Sequence, residues 1–209
     1  TKGHELVGRK YKRFDQFLVN REEGKPFCYW LGSSDPHRGY DKGSGERSGM
    51  DLSKIKLSAC FPDHPETRGD VADYYFEVQR FDRLVGNALK SLEAAGELDN
   101  TIVFMTGDHG MPFPRGKSNL YDSGTHVALA ARWPTGGVKA GREEQDFVSL
   151  TDLAPTFLEI ASVRVPEEMT GRSLVKVLKS AESGRIETSR NHALVGKERH
   201  APAQEAPDI

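Results

Sequence analysis

The chain has 209 residues, enough to bury a substantial core, and 29 Lys plus Arg against 31 Asp plus Glu leave a formal net charge of −2. With 36% aliphatic, aromatic and cysteine residues and 21 glycines, it has the apolar content of an ordinary globular domain, which excludes disorder throughout; its charge balance excludes bulk attraction to nucleic acid or an anionic membrane surface. Cys28 and Cys60 cannot build a disulfide framework and lack metal-ligand spacing, so they could pair or stay free, and no stretch approaches the roughly 18 apolar residues that a membrane span needs.

In chain order, Val7, Tyr11, Phe14, Phe17 and Leu18 fall near helical spacing and predict an amphipathic helix over Val7 to Arg21, stopped by Gly24. The apolar run Pro26 to Gly32 reads as a strand buried on both faces, as in parallel sheets. Ser33 to Gly69 is rich in Gly, Ser, Asp, Pro and charge without periodicity, and a loop of that length is expected to bind something. The strongest helix runs from Asp70, as N-cap, to Ala95, with Gly96 closing it. Thr101 to Thr106 is a second buried strand, so strand, helix and strand predict a right-handed βαβ crossover. His126 to Ala131 predicts a third strand, Thr151 to Ala161 a helix with Thr151 as N-cap, Ser173 to Ser180 a shorter helix, and His192 to Gly196 a fourth strand. The fold class expected is α/β: a doubly wound, mostly parallel sheet with helices on both faces.

In open parallel sheets, ligands bind outside the carboxyl ends of the strands. The first strand leads into Ser34-Asp35-Pro36-His37-Arg38, the second into Gly107-Asp108-His109-Gly110 and on to Arg115-Gly116-Lys117. If the strands are parallel, one sheet edge collects Asp108, the imidazoles of His37 and His109, and the cations Arg38, Arg115 and Lys117. Such a set suits a metal ion beside an oxyanion. Taken singly, Asp-His-Gly is also turn chemistry, His37 a loop histidine and Lys117 a solvated cation; their joint placement on one edge favours the site.

The segment TIVFMTGDHGMPFPRGKSNLYDSGTHVALAARWP, Thr101 to Pro134, resembles the second metal-binding motif of the sulfatases, in the alkaline phosphatase superfamily. PFCYWLGSSDPHRGY, VSLTDLAPTFLEIA and TGRSL resemble the heparan N-sulfatase (sulfamidase) branch. The resemblance implies an alkaline-phosphatase-like fold and a metal-dependent hydrolase of sulfate esters or sulfamates on a sulfated sugar. It implies Asp108 and His109 as the late pair of metal ligands, usually for calcium, Lys117 as the basic residue nine positions on that contacts the sulfate, and His37 as the histidine that contacts the sulfate or protonates the leaving group. Arg38 and Arg115 are adjacent cations for supporting or substrate contacts, and His200 could face the same pocket or the surface. The chemistry fits: a divalent cation and an ammonium around the sulfuryl oxygens relieve the charge that repels a nucleophile, and an imidazole can protonate a departing alkoxide or amine. Because calcium prefers oxygen donors, His109 leaves zinc open as the alternative ion.

Sulfatases attack with a formylglycine made from Cys or Ser in a C-x-P-S-R type motif, aided by an early acidic ligand pair and a lysine and histidine. Neither Cys28-Tyr29-Trp30-Leu31 nor Cys60-Phe61-Pro62-Asp63 matches that motif. The start at Thr1-Lys2-Gly3 and the end at Ala206-Pro207-Asp208-Ile209 read as cuts, so residues 1–190 are expected to be the central and later part of a catalytic domain and 191–209 the start of a C-terminal region. The 209 residues alone are expected to lack the nucleophile, half the metal site and turnover. Two competing readings are a zinc phosphatase or phosphotransferase of the same superfamily and a non-catalytic binding module. Family relatives are commonly exported to periplasm, lysosome or medium; oligomeric state and sulfate position are left open.

Overall fold

A computed structural model of the chain describes residues 10–197. The chain divides after Leu98 into two compact units. No helix among the described residues is long and apolar enough to cross a membrane.

In the first unit, α1 (Phe14–Asn20) is shorter than the helix expected from the apolar spacing. Its N-cap, Arg13, is extended and offers no capping side chain, and residues 7–9 lie outside the described residues. The α1 rings meet those of the following apolar run: Phe14 and Phe17 lie 4.8 and 4.7 Å from Tyr29, and Phe17 lies 5.4 Å from Phe27. That run is extended, but it is not the predicted doubly buried strand. Phe27, Tyr29 and Leu31 are half-buried while Cys28 and Trp30 are exposed, a period-two alternation with one covered face. No strand pairs with it among the described residues, so it forms no ladder.

The long segment from Ser33 to Gly69 contains α2 (Ser44–Arg47) and a 3₁₀ turn at Leu52–Lys54. Asp73 of α3 (Pro65–Ala94) holds α2: its buried carboxylate accepts from the backbone N–H groups of Gly43 and Gly45, both at 2.8 Å. Gly45 packs so closely that a Cβ there would stand 2.4 Å from the Ala72 carbonyl oxygen, which only glycine tolerates. At 30 residues, α3 is about 45 Å long.

It begins five residues before the expected Asp70. His64 is the N-cap and Pro65 occupies the first turn, where a missing N–H costs nothing. Arg68, itself in that turn, secures it by donating to Asp63 Oδ1 at 2.6 Å and to the Leu52 and Ile55 carbonyls at 3.0 and 2.8 Å. The C-terminus follows expectation. Gly96 adopts φ 70°, its N–H donates to Glu93 O and that of Glu97 to Leu92 O, each at 2.9 Å, which is a Schellman closure.

In the second unit, β1 (Val103–Thr106) and β2 (Leu129–Arg132) pair antiparallel, with Val103 opposite Arg132 and Thr106 opposite Leu129. The expected parallel partner of β1, the run near Tyr29, is not in this ladder, so the βαβ crossover is not formed by the described residues. Nor is the doubly wound sheet: they hold one two-stranded sheet. The segment His192 to Gly196 is exposed and not a strand. Between the strands lie α4 (Asp122–Thr125) and a tightly folded loop.

The remaining helices fall where expected, with shifted ends. A 3₁₀ turn at Leu150–Asp152 leads into α5 (Leu153–Ile160), and α6 is Val175–Leu178. Ser149, not Thr151, is the cap of the turn, in a reciprocal box with Asp152. Phe157 of α5 meets Phe104 of β1 edge to face at 5.4 Å. Asp152 and Arg190 centre a buried network. Arg190, 1% exposed, donates to Asp152 Oδ2 at 2.9 Å, to Glu187 Oε2 at 2.7 Å and to the carbonyls of Arg172 and Ser173 at 2.9 and 2.7 Å.

Candidate active site

β1 delivers Gly107-Asp108-His109-Gly110 at its carboxyl end, as the sequence predicts for the second strand. The Asp108 carboxylate is exposed, and its Oδ1 accepts from the His109 N–H at 3.0 Å. The other oxygen, Oδ2, lies 3.5 Å from His109 Nε2. His109 Nδ1 is 2.9 Å from the Gly110 carbonyl oxygen. A carbonyl only accepts, so Nδ1 carries a proton, and in the neutral ring Nε2 is the nitrogen left with a lone pair. This is the arrangement that prepares an imidazole for a metal, with its second nitrogen tied to a backbone carbonyl. Two donors on a tetrahedral ion with bonds of about 2.0 to 2.1 Å stand roughly 3.3 Å apart, close to the separation seen. The pair fits a divalent cation as two of its ligands. Among the described residues no group of three or more His, Cys, Asp and Glu could hold a metal.

Close backbone packing fixes the loop after this pair. A Cβ on Gly110 would lie 1.8 Å from the Ser123 carbonyl oxygen, and one on Gly116 would lie 2.1 Å from that of Met111. The Gly110 N–H donates to Gly124 O at 3.0 Å and the Lys117 N–H to Met111 O at 2.9 Å. Arg115 has φ 64°, with its guanidinium 5.4 Å from the centre of the Tyr121 ring. One self-packed loop of the second unit therefore carries Asp108, His109, Arg115 and Lys117.

His37 and Arg38 belong to the first unit. The His37 N–H donates to Ser34 O at 2.7 Å, and Nδ1 donates to the Arg38 carbonyl at 3.0 Å. The Arg38 guanidinium makes a two-pronged pair with Asp70, at 3.1 and 2.8 Å, and lies 5.3 Å from the centre of the Tyr40 ring. Burial pushes the Tyr40 hydroxyl up to about 12 against the pull of Arg38, and its oxygen has no hydrogen-bond partner among the described residues. His200 lies outside the described residues.

Sequence reasoning passed over the groups that meet at Asp35, two residues before His37. Glu77 and Arg80 of α3 reach Asp35: Arg80 Nη1 donates to both Glu77 oxygens at 2.9 Å, and its Nε lies 3.3 Å from Asp35 Oδ2. Glu77 is held above the usual carboxylate range by burial first and then by the hydrogen bond and charge of Asp35, against the opposing pull of Arg80. The signal available was the spacing of Asp70, Asp73 and Glu77 along one side of a helix.

The sulfatase family model matches residues 7–163. The chain is 33% identical to human N-sulphoglucosamine sulphohydrolase over 83% of its own length and 41% of that protein's. It is 33% identical to an ulvan-active sulfatase of Formosa agariphila over 64% of the chain and 22% of the relative. It thus spans about two-fifths or less of the length of these relatives. Among solved structures, one in complex with its substrate D-glucosamine-2-N,6-O-disulfate is 32% identical, with TM-score 0.54 over 59% of this chain and 25% of that one. A Bacteroides thetaiotaomicron structure from the metabolism of multiple glycosaminoglycans, 21% identical, superposes with TM-score 0.69 over 88% of this chain and 39% of its own, which shows a shared fold. With well over half of its residues inside the family model, the chain belongs to the sulfatase family.

Proposed function

We propose that the chain supplies the central and later part of a sulfatase catalytic domain, residues 1–190, with 191–209 leading into the next region, and that the complete protein hydrolyses a sulfate ester or sulfamate on a sulfated sugar. The doubly wound sheet belongs to that complete domain. The observation that carries the reading is the prepared pair, Asp108 Oδ2 and His109 Nε2, 3.5 Å apart at the carboxyl end of β1. A likeness to proteins named for sulfated glucosamine and ulvan supports the substrate class.

In this reading Asp108 and His109 hold one side of a divalent cation, which when bound supplies positive charge to the sulfuryl oxygens. Calcium is the ion implied by the family and zinc the alternative admitted by the imidazole. Lys117 adds an ammonium to the same oxygens, and Arg115 extends the basic rim. His37 protonates the leaving oxygen or nitrogen. Arg38, bound to Asp70, holds the loop that carries His37, and His200 is a further candidate for substrate contact. The formylglycine nucleophile comes from residues other than these 209, so this chain alone turns over no sulfate ester.

The test is Asp108→Ala in the complete gene product, with metal content measured by mass spectrometry and hydrolysis followed on N-sulfoglucosamine, glucosamine 6-sulfate and a phosphate monoester. The expected outcome is loss of bound metal and a fall of at least 10³ in kcat/KM on one of the sulfated sugars. Unchanged metal content and activity, or a preference for the phosphate ester, would overturn the reading.

A further inference from the structure

Helix α3 turns three carboxylates, Asp70, Asp73 and Glu77, toward the segment that runs from Ser33 to Arg47, and each grips a different part of it. Asp70 binds the Arg38 guanidinium. Asp73 binds the N–H groups of Gly43 and Gly45. Glu77, 8% exposed at its side chain, reaches Asp35, 18% exposed, through the shared guanidinium of Arg80. His37 therefore sits between two anchored neighbours, Asp35 on one side and Arg38 on the other. We propose that Glu77 is a positioning residue for His37, clamping Asp35 through the guanidinium of Arg80.

Two largely buried carboxyl groups with one guanidinium between them leave a negative charge uncompensated, which favours the protonated form of Glu77. Burial, followed by the hydrogen bond and charge of Asp35, holds Glu77 above the usual carboxylate range. The groups around Glu77 are Arg80 on its own helix, Asp35 opposite it, and Tyr40, Arg38 and Asp70 in the adjoining cluster. Of these, Arg80 favours the ionised Glu77, while burial and Asp35 favour its protonated form. As pH rises Glu77 ionises, its repulsion with Asp35 grows, and the clamp on the His37 loop loosens. A glutamine at position 77 can still donate to Asp35 and so imitates the protonated state.

The inference rests on His37 acting in the site proposed above. The experiment compares His37→Ala, Glu77→Ala, Glu77→Gln and Arg80→Ala in the complete gene product, with kcat and KM measured across pH on N-sulfoglucosamine and glucosamine 6-sulfate. The expectation is a fall of at least tenfold in kcat for His37→Ala and Glu77→Ala, with KM within threefold of the parent. Glu77→Gln should return kcat to within threefold and flatten the alkaline limb of the profile. Arg80→Ala, at a half-exposed side chain, carries the test should Glu77→Ala fail to fold, with an expected fall of at least threefold. Parent-like kcat in Glu77→Ala or Arg80→Ala beside an inactive His37→Ala, or a Glu77→Gln as poor as Glu77→Ala, would overturn the assignment. If His37→Ala keeps full activity, the site reading itself fails, and the His37 ring resonance in NMR decides: a shift in Glu77→Ala that Glu77→Gln lacks upholds the clamp, and an unmoved resonance ends it.

Discussion

Arg190 satisfies two carboxylates and two carbonyls from a position almost fully removed from water. Truncation to alanine leaves the buried Asp152 without its cation, and breaking a buried pair on one side costs about 3 to 5 kcal/mol. Chemical denaturation of Arg190→Ala should show a loss of that size, where a surface arginine such as Arg164 shows almost none. Glu187, hydrogen-bonded to Arg190 and beside Lys176, is held below the usual carboxylate range. A depressed carboxyl stabilises the fold above its unfolded pKa, and the contribution is lost as pH falls through the folded value. Glu187→Gln should therefore lower Tm near neutral pH and match the parent in strongly acidic buffer. Glu77, raised by burial, has the opposite sign: its contribution is complete below the unfolded pKa and is lost as pH rises through the folded one. Glu77→Gln should gain in Tm relative to the parent as pH increases. At Gly110 a methyl group would collide with the Ser123 carbonyl, so Gly110→Ala should cost roughly 1 to 3 kcal/mol and move the Asp108 and His109 donors apart, read as weakened metal binding.

Helix α3 shows what a sequence carries at the level of elements. Its body was legible because Val71, Tyr74, Val78, Phe81, Val85, Leu89 and Leu92 repeat at three and four residues, and its end because Gly96 is a local signal. Gly96→Ala, forced to keep φ 70°, should cost about 1 kcal/mol and fray the last turn in hydrogen exchange. The first turn was hidden because it is apolar-poor and is held by its own Arg68 reaching the distant carbonyls of Leu52 and Ile55. The second and third strands were readable as β1 and β2, but the first failed for another reason. An apolar run announces that it can extend, yet a ladder depends on a distant partner, and the run around Tyr29 finds side chains of α1 rather than backbone. The candidate site divides the same way. Asp108, His109 and Lys117 were readable because one short loop holds them together, whereas Asp35, Glu77 and Arg80 meet only after folding brings residue 35 beside α3.

The buried apolar set of the described residues is small. Among the described residues only Val71, Ala72, Leu92, Phe113, Leu174 and Val177 are buried hydrophobics, while Trp30, Leu120, Tyr121, Phe147 and Val163 are about half exposed or more. Hydrophobic burial is the main favourable contribution to folding, so these 209 residues in isolation should unfold at low denaturant with a shallow transition and bind a hydrophobic dye. The complete gene product should do neither. The pattern is that expected when a chain spans about two-fifths of its relatives' length.

The two tryptophans fall one to each unit, Trp30 in the first and Trp133 in the second. Trp30 is 88% exposed, whereas Trp133 is half-buried with its indole nitrogen shielded from solvent. Replacing either with phenylalanine leaves a single intrinsic fluorophore, so emission wavelength and quenching by iodide can follow each half of the molecule separately. A blue shift of the Trp30 signal on restoring the rest of the protein would mark the face of the first unit that the remaining polypeptide covers.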